Sequence, residues 1–462
     1  MSRFPAFLLA RRCAFLWVLM ALCLPLAAQP GDSAPPSESE ATDSILALVG
    51  GRLIDGYGGP PIQDAVVVIQ GNRIQSVGPR ASTPVPMEAR VISTEGRTVM
   101  PGLMDMHVHL MILGHGDYEH WDKTYTDQFR DLIMPIAAKQ LLHAGVTTVR
   151  DVGARIEDIF PVKQRIASGE IPGPRVYATG PFLQKRVDSP WEEPFRWTVN
   201  GAADARAKTQ QILDAGADCI KVIDQDQMSL DELQAIVDTA HTAGKHIVAH
   251  AHRTEEIRRG LQAGVDCFEH TGLGTQPGYP EDVLKMITER QSSLYWCPTI
   301  EGLFLYPYTV DHNPARLQDP RLKQDLPPDL YEDIRASLEH PQRLEYFQLI
   351  RYRVPTLAHK FQQLMKTGVT MVVGTDSGIP MNFHFDSTWR ELDAMVRLGM
   401  DPMNAIRAAT FWPARLLKAD ADLGTIEPGK LADLIVVDGD PLTSMSELRH
   451  IEHVIKDGQL VR

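Results

Sequence analysis

Six residues able to hold a divalent cation recur at matching places along this chain, each in or at the end of an apolar, strand-like run. His107 and His109 close the first run, in Asp-Met-His-Val-His. Strand alternation puts positions i and i+2 on one face, so both imidazoles can point the same way. Lys221 sits inside Cys-Ile-Lys-Val-Ile, where a bare ammonium is costly to bury. Either Asp224 or Asp226 pairs with it, or burial keeps the amine neutral and able to add CO2. The resulting carbamate is an anionic oxygen ligand that can bridge two cations. His250 ends Val-Ala-His, His270 ends Phe-Glu-His and Asp376 ends Gly-Thr-Asp. Any one of these reads equally as a core histidine or a loop-capping aspartate, but six at one end of successive strands share a rim. Imidazoles, a carboxylate and a carbamate suit two divalent ions, zinc foremost, without thiolates. A hydroxide bridging them would form near neutral pH beside a polarised carbonyl, with Asp376 as base toward the water and then proton donor to a leaving amine.

Such a rim needs a scaffold of parallel strands. From residue 99 onward, strand-like runs alternate with helix-length amphipathic segments eight times, at 99–110, 146–152, 175–180, 219–223, 246–251, 267–270, 293–300 and 370–376. In 231–243, for example, Leu233, Ile236, Val237 and Ala240 fall on one helical face. This rhythm predicts an α/β fold, a (β/α)8 TIM-type barrel over residues 99–420, with its active site at the C-terminal strand ends. An open doubly wound sheet is the rival, disfavoured because no Gly-rich phosphate turn follows the first strand. Both flanks are β-rich: 45–49, a hairpin of 65–69 and 74–77 around Gly71-Asn72, then 434–437 and 451–455. They predict a small β-sandwich domain built from 44–98 plus 421–462. Residues 301–338 form a long loop, either a lid or a solvated insertion.

The chain has 462 residues, 44% hydrophobic and 23% charged, which excludes a disordered or collagen-like protein. The net charge is −13 without any basic block, so no nucleic-acid partner is expected. Arg3, Arg11 and Arg12 precede an apolar run over 13–28 that ends Leu26-Ala27-Ala28. Residues 1–28 are read as a signal peptide, the alternative being an uncleaved anchor. The expected location is exported, periplasmic or secreted, with no stable membrane partner after cleavage and with homo-oligomerisation left open. Residues 29–43 are rich in Pro, Ser and acids and read as a disordered linker. Cys219, Cys267 and Cys297 are odd in number and widely spaced, so they read as small buried hydrophobes.

The ordered set of motifs resembles the amidohydrolase superfamily, and within it the imidazolonepropionase-like and Xaa-Pro dipeptidase (prolidase-like) branch. The carrying segments are Pro101 to His109, Gly145 to Asp151, Ile220 to Val222, Val248 to His252, His270, Gly374 to Gly378 and Leu423 to Asp438. The resemblance implies a metal-dependent hydrolase with His107, His109, Lys221, His250, His270 and Asp376 as ligands and Lys221 N6-carboxylated. Deaminases of this superfamily resemble a pattern with Glu three residues after the strand-five His; here that position is Arg253. That departure and the presence of Lys221 favour a binuclear enzyme cleaving an amide or peptide C–N bond, in an Xaa-Pro dipeptide, an N-acyl amino acid or another small molecule. The alternatives are a cyclic-amide or lactone hydrolase on the same centre, or a non-catalytic periplasmic binding protein. His252, Arg253 and Tyr177 are candidate substrate contacts, with His115, His120, Trp191 and Trp197 as weaker ones.

Overall fold

The computed structural model describes residues 45–187, 189–272, 274, 276–302, 314–340 and 345–462. The signal-peptide and linker readings, over 1–43, lie outside the described residues. Among the described strands, β1 (Ile45–Leu53), β2 (Ile62–Gln70), β3 (Arg73–Pro79), β4 (Arg90–Ser93) and β5 (Thr98–Pro101) come first. They join β16 (Leu434–Val437), β17 (Ile451–Lys456) and β18 (Gln459–Leu460) in one eight-stranded sheet. Its order is β18-β17-β16-β5-β1-β2-β3, with β4 also on β1, so the two flanks of the chain pair directly. The β2–β3 hairpin turns at Gly71-Asn72 as the sequence predicts. Leu48, Val67, Val99, Leu434 and Ile455 fill one buried cluster of this sheet, and Ala47, Val49, Val66 and Val68 another.

Two parallel sheets carry the rest. One contains β6 (Leu103–Val108), β7 (Val146–Asp151) and β8 (Arg175–Ala178). The other runs β10 (Arg196–Thr198), β9 (Phe182–Gln184), β11 (Cys219–Val222), β12 (His246–His250), β13 (Cys267–Glu269), β14 (Tyr295–Cys297) and β15 (Thr370–Met371). Backbone bonds also link the two sheets: Met106 N–H donates to the Val373 carbonyl at 2.8 Å, and Asp218 N–H to the Ala178 carbonyl at 2.9 Å. Helices follow most strands. Leu230–Thr242 starts in a Ser229–Glu232 capping box, and Leu233, Ile236, Val237 and Ala240 are its buried face.

Three sequence expectations change. The run 99–110 is two strands: β5 pairs with β1 and β16, and only β6 enters the parallel sheet. The chain passes between them at Gly102 without a loop, so the apolar pattern never breaks. A Cβ at Gly102 would lie 2.2 Å from Thr147 Oγ1, which is why glycine occupies the crossing. Short strands β9 and β10 were not expected. The described part of the 301–338 segment is helical over Pro314–Gln318, Pro320–Lys323 and Pro328–Ser337, with Leu322, Leu330 and Ile334 buried, so it is packed rather than solvated.

Candidate metal centre

Parallel strands in register bring their ends together, and the chemistry-bearing residues sit at those ends. Lys221 of β11 stands opposite Val248 of β12, and His250 opposite Glu269 of β13. His107 Nε2 and His109 Nε2 lie 3.3 and 3.2 Å from the same Asp376 oxygen. His270 Nε2 lies 2.8 Å from His250 Nδ1. Two donor groups result, His107–His109–Asp376 and His250–His252–His270, each within 4.8 Å. With Lys221 they line one cavity of about 290 Å³.

Alternation alone would not make this set, because Glu269 and His270 are neighbours yet both serve the centre. His270 has φ +75° and Asp376 φ +59°, in the left-handed region that side chains avoid. The turn at His270 lets Glu269 point beneath the rim while the imidazole joins it. Backbone strain of this kind gathers where function over-determines geometry.

Protonation states follow from the contacts. Glu269 can only accept, so the 2.6 Å contact with His107 Nδ1 places a proton there. Burial lowers this imidazole, but the Asp376 and Glu269 carboxylates outweigh it and hold the ring above its usual range, so a cation at Nε2 would have to displace a proton. Burial pushes His250 and His270 well below the usual imidazole range, with Lys221 and His252 adding to it. Burial and the Arg353 charge bring His252 down to about 3. These rings are therefore neutral, with lone pairs available. Burial also lowers the Lys221 ammonium, although Glu269 and Asp376 oppose it. Burial raises and the His107 charge lowers the Asp376 carboxyl, and the net is far below the usual range.

Lys221 is completely buried and its Nζ makes no hydrogen bond among the described residues. The carboxylates that sequence offered it are taken: Arg253 holds Asp224 and Asp226, each at 2.7 Å, and Glu256 at 2.7 Å. This corrects Arg253 as a substrate contact, because three carboxylates draw it aside and it does not line the cavity. Tyr177 is absent from the lining too; the charges that act on its phenol are Arg175, Asp218, Asp422 and Asp433. His252 does line it, stacked 4.5 Å from His270. Trp191 lines the cavity and Trp197 does not. His115 and His120 lie together elsewhere, against Asp333.

Sequence reading missed the support beneath the rim. Arg150 and Glu269 are both fully buried and pair at 2.7 Å, and Arg150 also donates to the Met106 carbonyl at 2.7 Å. Despite burial, Arg150 keeps the Glu269 carboxyl far below its usual range. Both carried a legible signal, a charge inside an apolar run, the anomaly that exposed Lys221. Arg353, on helix Glu345–Thr367, carried none; it faces the cavity with a buried Nε that makes no hydrogen bond among the described residues. Tyr118, Trp121, Phe182, Trp191 and Phe195 give the cavity an aromatic wall.

His384 supports the rim from outside it. Its Nε2 donates to the Ile112 carbonyl at 2.9 Å, so its Nδ1 accepts from Ser377 at 2.9 Å and the ring is neutral. Burial brings it down to about 4, against an ordinary 6.5. Above pH 6.5 both folded and unfolded rings are neutral; between 6.5 and 4 only the unfolded ring gains a proton, so acid removes stability. Urea midpoints should show wild type losing about 2 kcal/mol more than His384→Gln between pH 7.5 and 5.0. Parallel pH profiles for the two proteins would refute this.

A family model described as the amidohydrolase family matches residues 98–461. The chain belongs to the amidohydrolase family and is a hydrolase acting on C–N bonds. It is 23% identical over 439 residues to a 5-methylthioadenosine/S-adenosylhomocysteine deaminase of Symbiobacterium thermophilum, covering 86% of this chain and 85% of the relative. It is 22% identical over 424 residues to an imidazolonepropionase of Flavobacterium johnsoniae, covering 87% and 93%. Among solved structures, a Xaa-Pro dipeptidase with methionine bound in its active site superposes with TM-score 0.70 at 27% identity, covering 91% of this chain and all of that one.

Proposed function

We propose that this chain is an exported, binuclear metal-dependent amidohydrolase that cleaves the amide bond of an Xaa-Pro dipeptide or N-acyl amino acid. The observation that carries the reading is the buried amine of Lys221, without a hydrogen bond among the described residues, beside two groups of imidazole and carboxylate donors. A lone buried amine has no structural purpose; as an N6-carboxylated lysine it becomes an anionic oxygen ligand. The amine attacks CO2 carbon, a C–N bond forms and one proton leaves. His107, His109 and Asp376 would then hold one ion and His250 and His270 the other, with Lys221 shared. The hydrogen bonds linking the two parallel sheets support their reading as one closed (β/α)8 barrel, with the paired flanks as a separate β-sandwich domain.

Two divalent ions, zinc by donor type, would lower the pKa of a water and polarise the scissile carbonyl. The chain's own groups do the rest. Asp376 accepts the water's proton and passes it to the departing nitrogen. Glu269 fixes the tautomer of His107. Arg353 receives the substrate's carboxylate in a charge-assisted hydrogen bond. The aromatic wall packs the acyl side chain and excludes water.

Arg353→Leu is expected to lower kcat/KM by about 10- to 100-fold for dipeptides, mostly through KM, and to leave their C-terminal amides unaffected. An equal loss for both substrate forms would remove the carboxylate from the proposal. Cyclic amides and lactones belong in the same panel, since selective turnover of those would transfer the function to them.

A further inference from the structure

Another group of metal-type donors lies apart from the cavity lining. His115 follows the first parallel strand, His120 lies on helix Tyr118–Tyr125, and Asp333 on helix Pro328–Ser337. Their donor atoms all fall within 4.8 Å of one another. His120 Nε2 is 3.0 Å and His115 Nε2 is 3.5 Å from the same Asp333 oxygen. The Tyr125 hydroxyl donates to that oxygen at 2.8 Å.

His115 is the informative member. It is only 2% exposed, and among the described residues its Nε2 makes no hydrogen bond; the approach to Asp333 is an ion-pair distance without hydrogen-bond geometry. Leaving a buried ring nitrogen in that state costs free energy. Its Nδ1 lies 2.9 Å from the Asp117 carbonyl, a bond that puts the proton on Nδ1 and leaves a lone pair on Nε2. The Asp117 N–H, 3.0 Å from the same nitrogen, serves the opposite tautomer, so the backbone accommodates either form. A tetrahedral zinc with bonds of 2.0–2.1 Å sets neighbouring ligand atoms about 3.3 Å apart. The two distances to Asp333 bracket that edge. His120 and Asp333 are partly exposed, so the fourth position is open to water.

We propose that His115, His120 and Asp333 bind a divalent cation of the zinc class, distinct from the metal centre, that clasps helix Tyr118–Tyr125 to helix Pro328–Ser337. Two imidazoles and one carboxylate select zinc, cobalt or nickel over magnesium or calcium. Tyr118 and Trp121 of the clasped helix line the substrate cavity, so occupancy would steady that wall.

The test uses the full chain. Wild-type crystals grown with zinc, with data taken either side of the zinc edge, should show an anomalous peak within bonding distance of all three side chains. In solution, Co2+ titration should give wild type one equivalent more than either His120→Ala or Asp333→Asn. Because the readout is a difference, it does not depend on how many ions the Lys221 centre holds, so failure there and failure here are separable. No peak at the triad, or equal uptake by folded variants, would overturn the clasp. Should neither variant fold, the wild-type crystals alone decide.

Discussion

Replacing Lys221 with methionine is expected to abolish turnover while making the metal-free protein more stable. The side chain is fully buried and its Nζ makes no hydrogen bond among the described residues, so an apolar chain of similar length removes an unsatisfied polar group. The gain should be about 1–3 kcal/mol in urea denaturation of the metal-free form. On the proposed binuclear centre, loss of Lys221 as the shared ligand would remove several kcal/mol of charge stabilisation, so kcat/KM should fall at least about 10³-fold. Metal content, measured by emission spectroscopy after gel filtration, should fall with it. A variant with full turnover would end the binuclear reading, whereas one with lower metal-free stability would mean that the amine has a structural partner.

Arg150→Met is expected to be the most destabilising single change beneath the rim. It leaves the fully buried Glu269 without its cation, at a cost of about 3–5 kcal/mol. The stranded carboxyl then takes up a proton, His107 loses the acceptor that fixes its tautomer, and metal affinity should drop about 10- to 100-fold. Adding Glu269→Gln should restore most of the stability without restoring the affinity, because a neutral amide needs no counter-charge but still holds His107 weakly. Denaturation midpoints and competition with a chelator separate the two effects. A double variant as unstable as the single one would place the defect in packing rather than charge.

These residues show how far sequence reaches. His107, His109, Lys221, His250, His270 and Asp376 were legible because each breaks an apolar run at its end or middle, and parallel register then gathers the ends. Where the runs met without a loop, at Gly102, periodicity could not find the border between sheets. Arg253 misled because local spacing says nothing of competitors; Asp224, Asp226 and Glu256 claim it first. Arg353 was invisible because it sits on a helix far along the chain, and only tertiary packing turns it toward the cavity. Tyr177, on β8, is absent from the cavity lining, since placement on a strand does not by itself bring a side chain to the cavity.

The loop-free crossing at Gly102 also has a mechanical meaning. Strand β5 is hydrogen-bonded to β16, with Pro101 opposite Leu434, and His107 follows only six residues after Pro101. Peeling away or truncating the C-terminal strands would therefore slacken the very segment that presents His107 and His109, and a nick near residue 430 should be felt as lost metal before it is felt as lost fold.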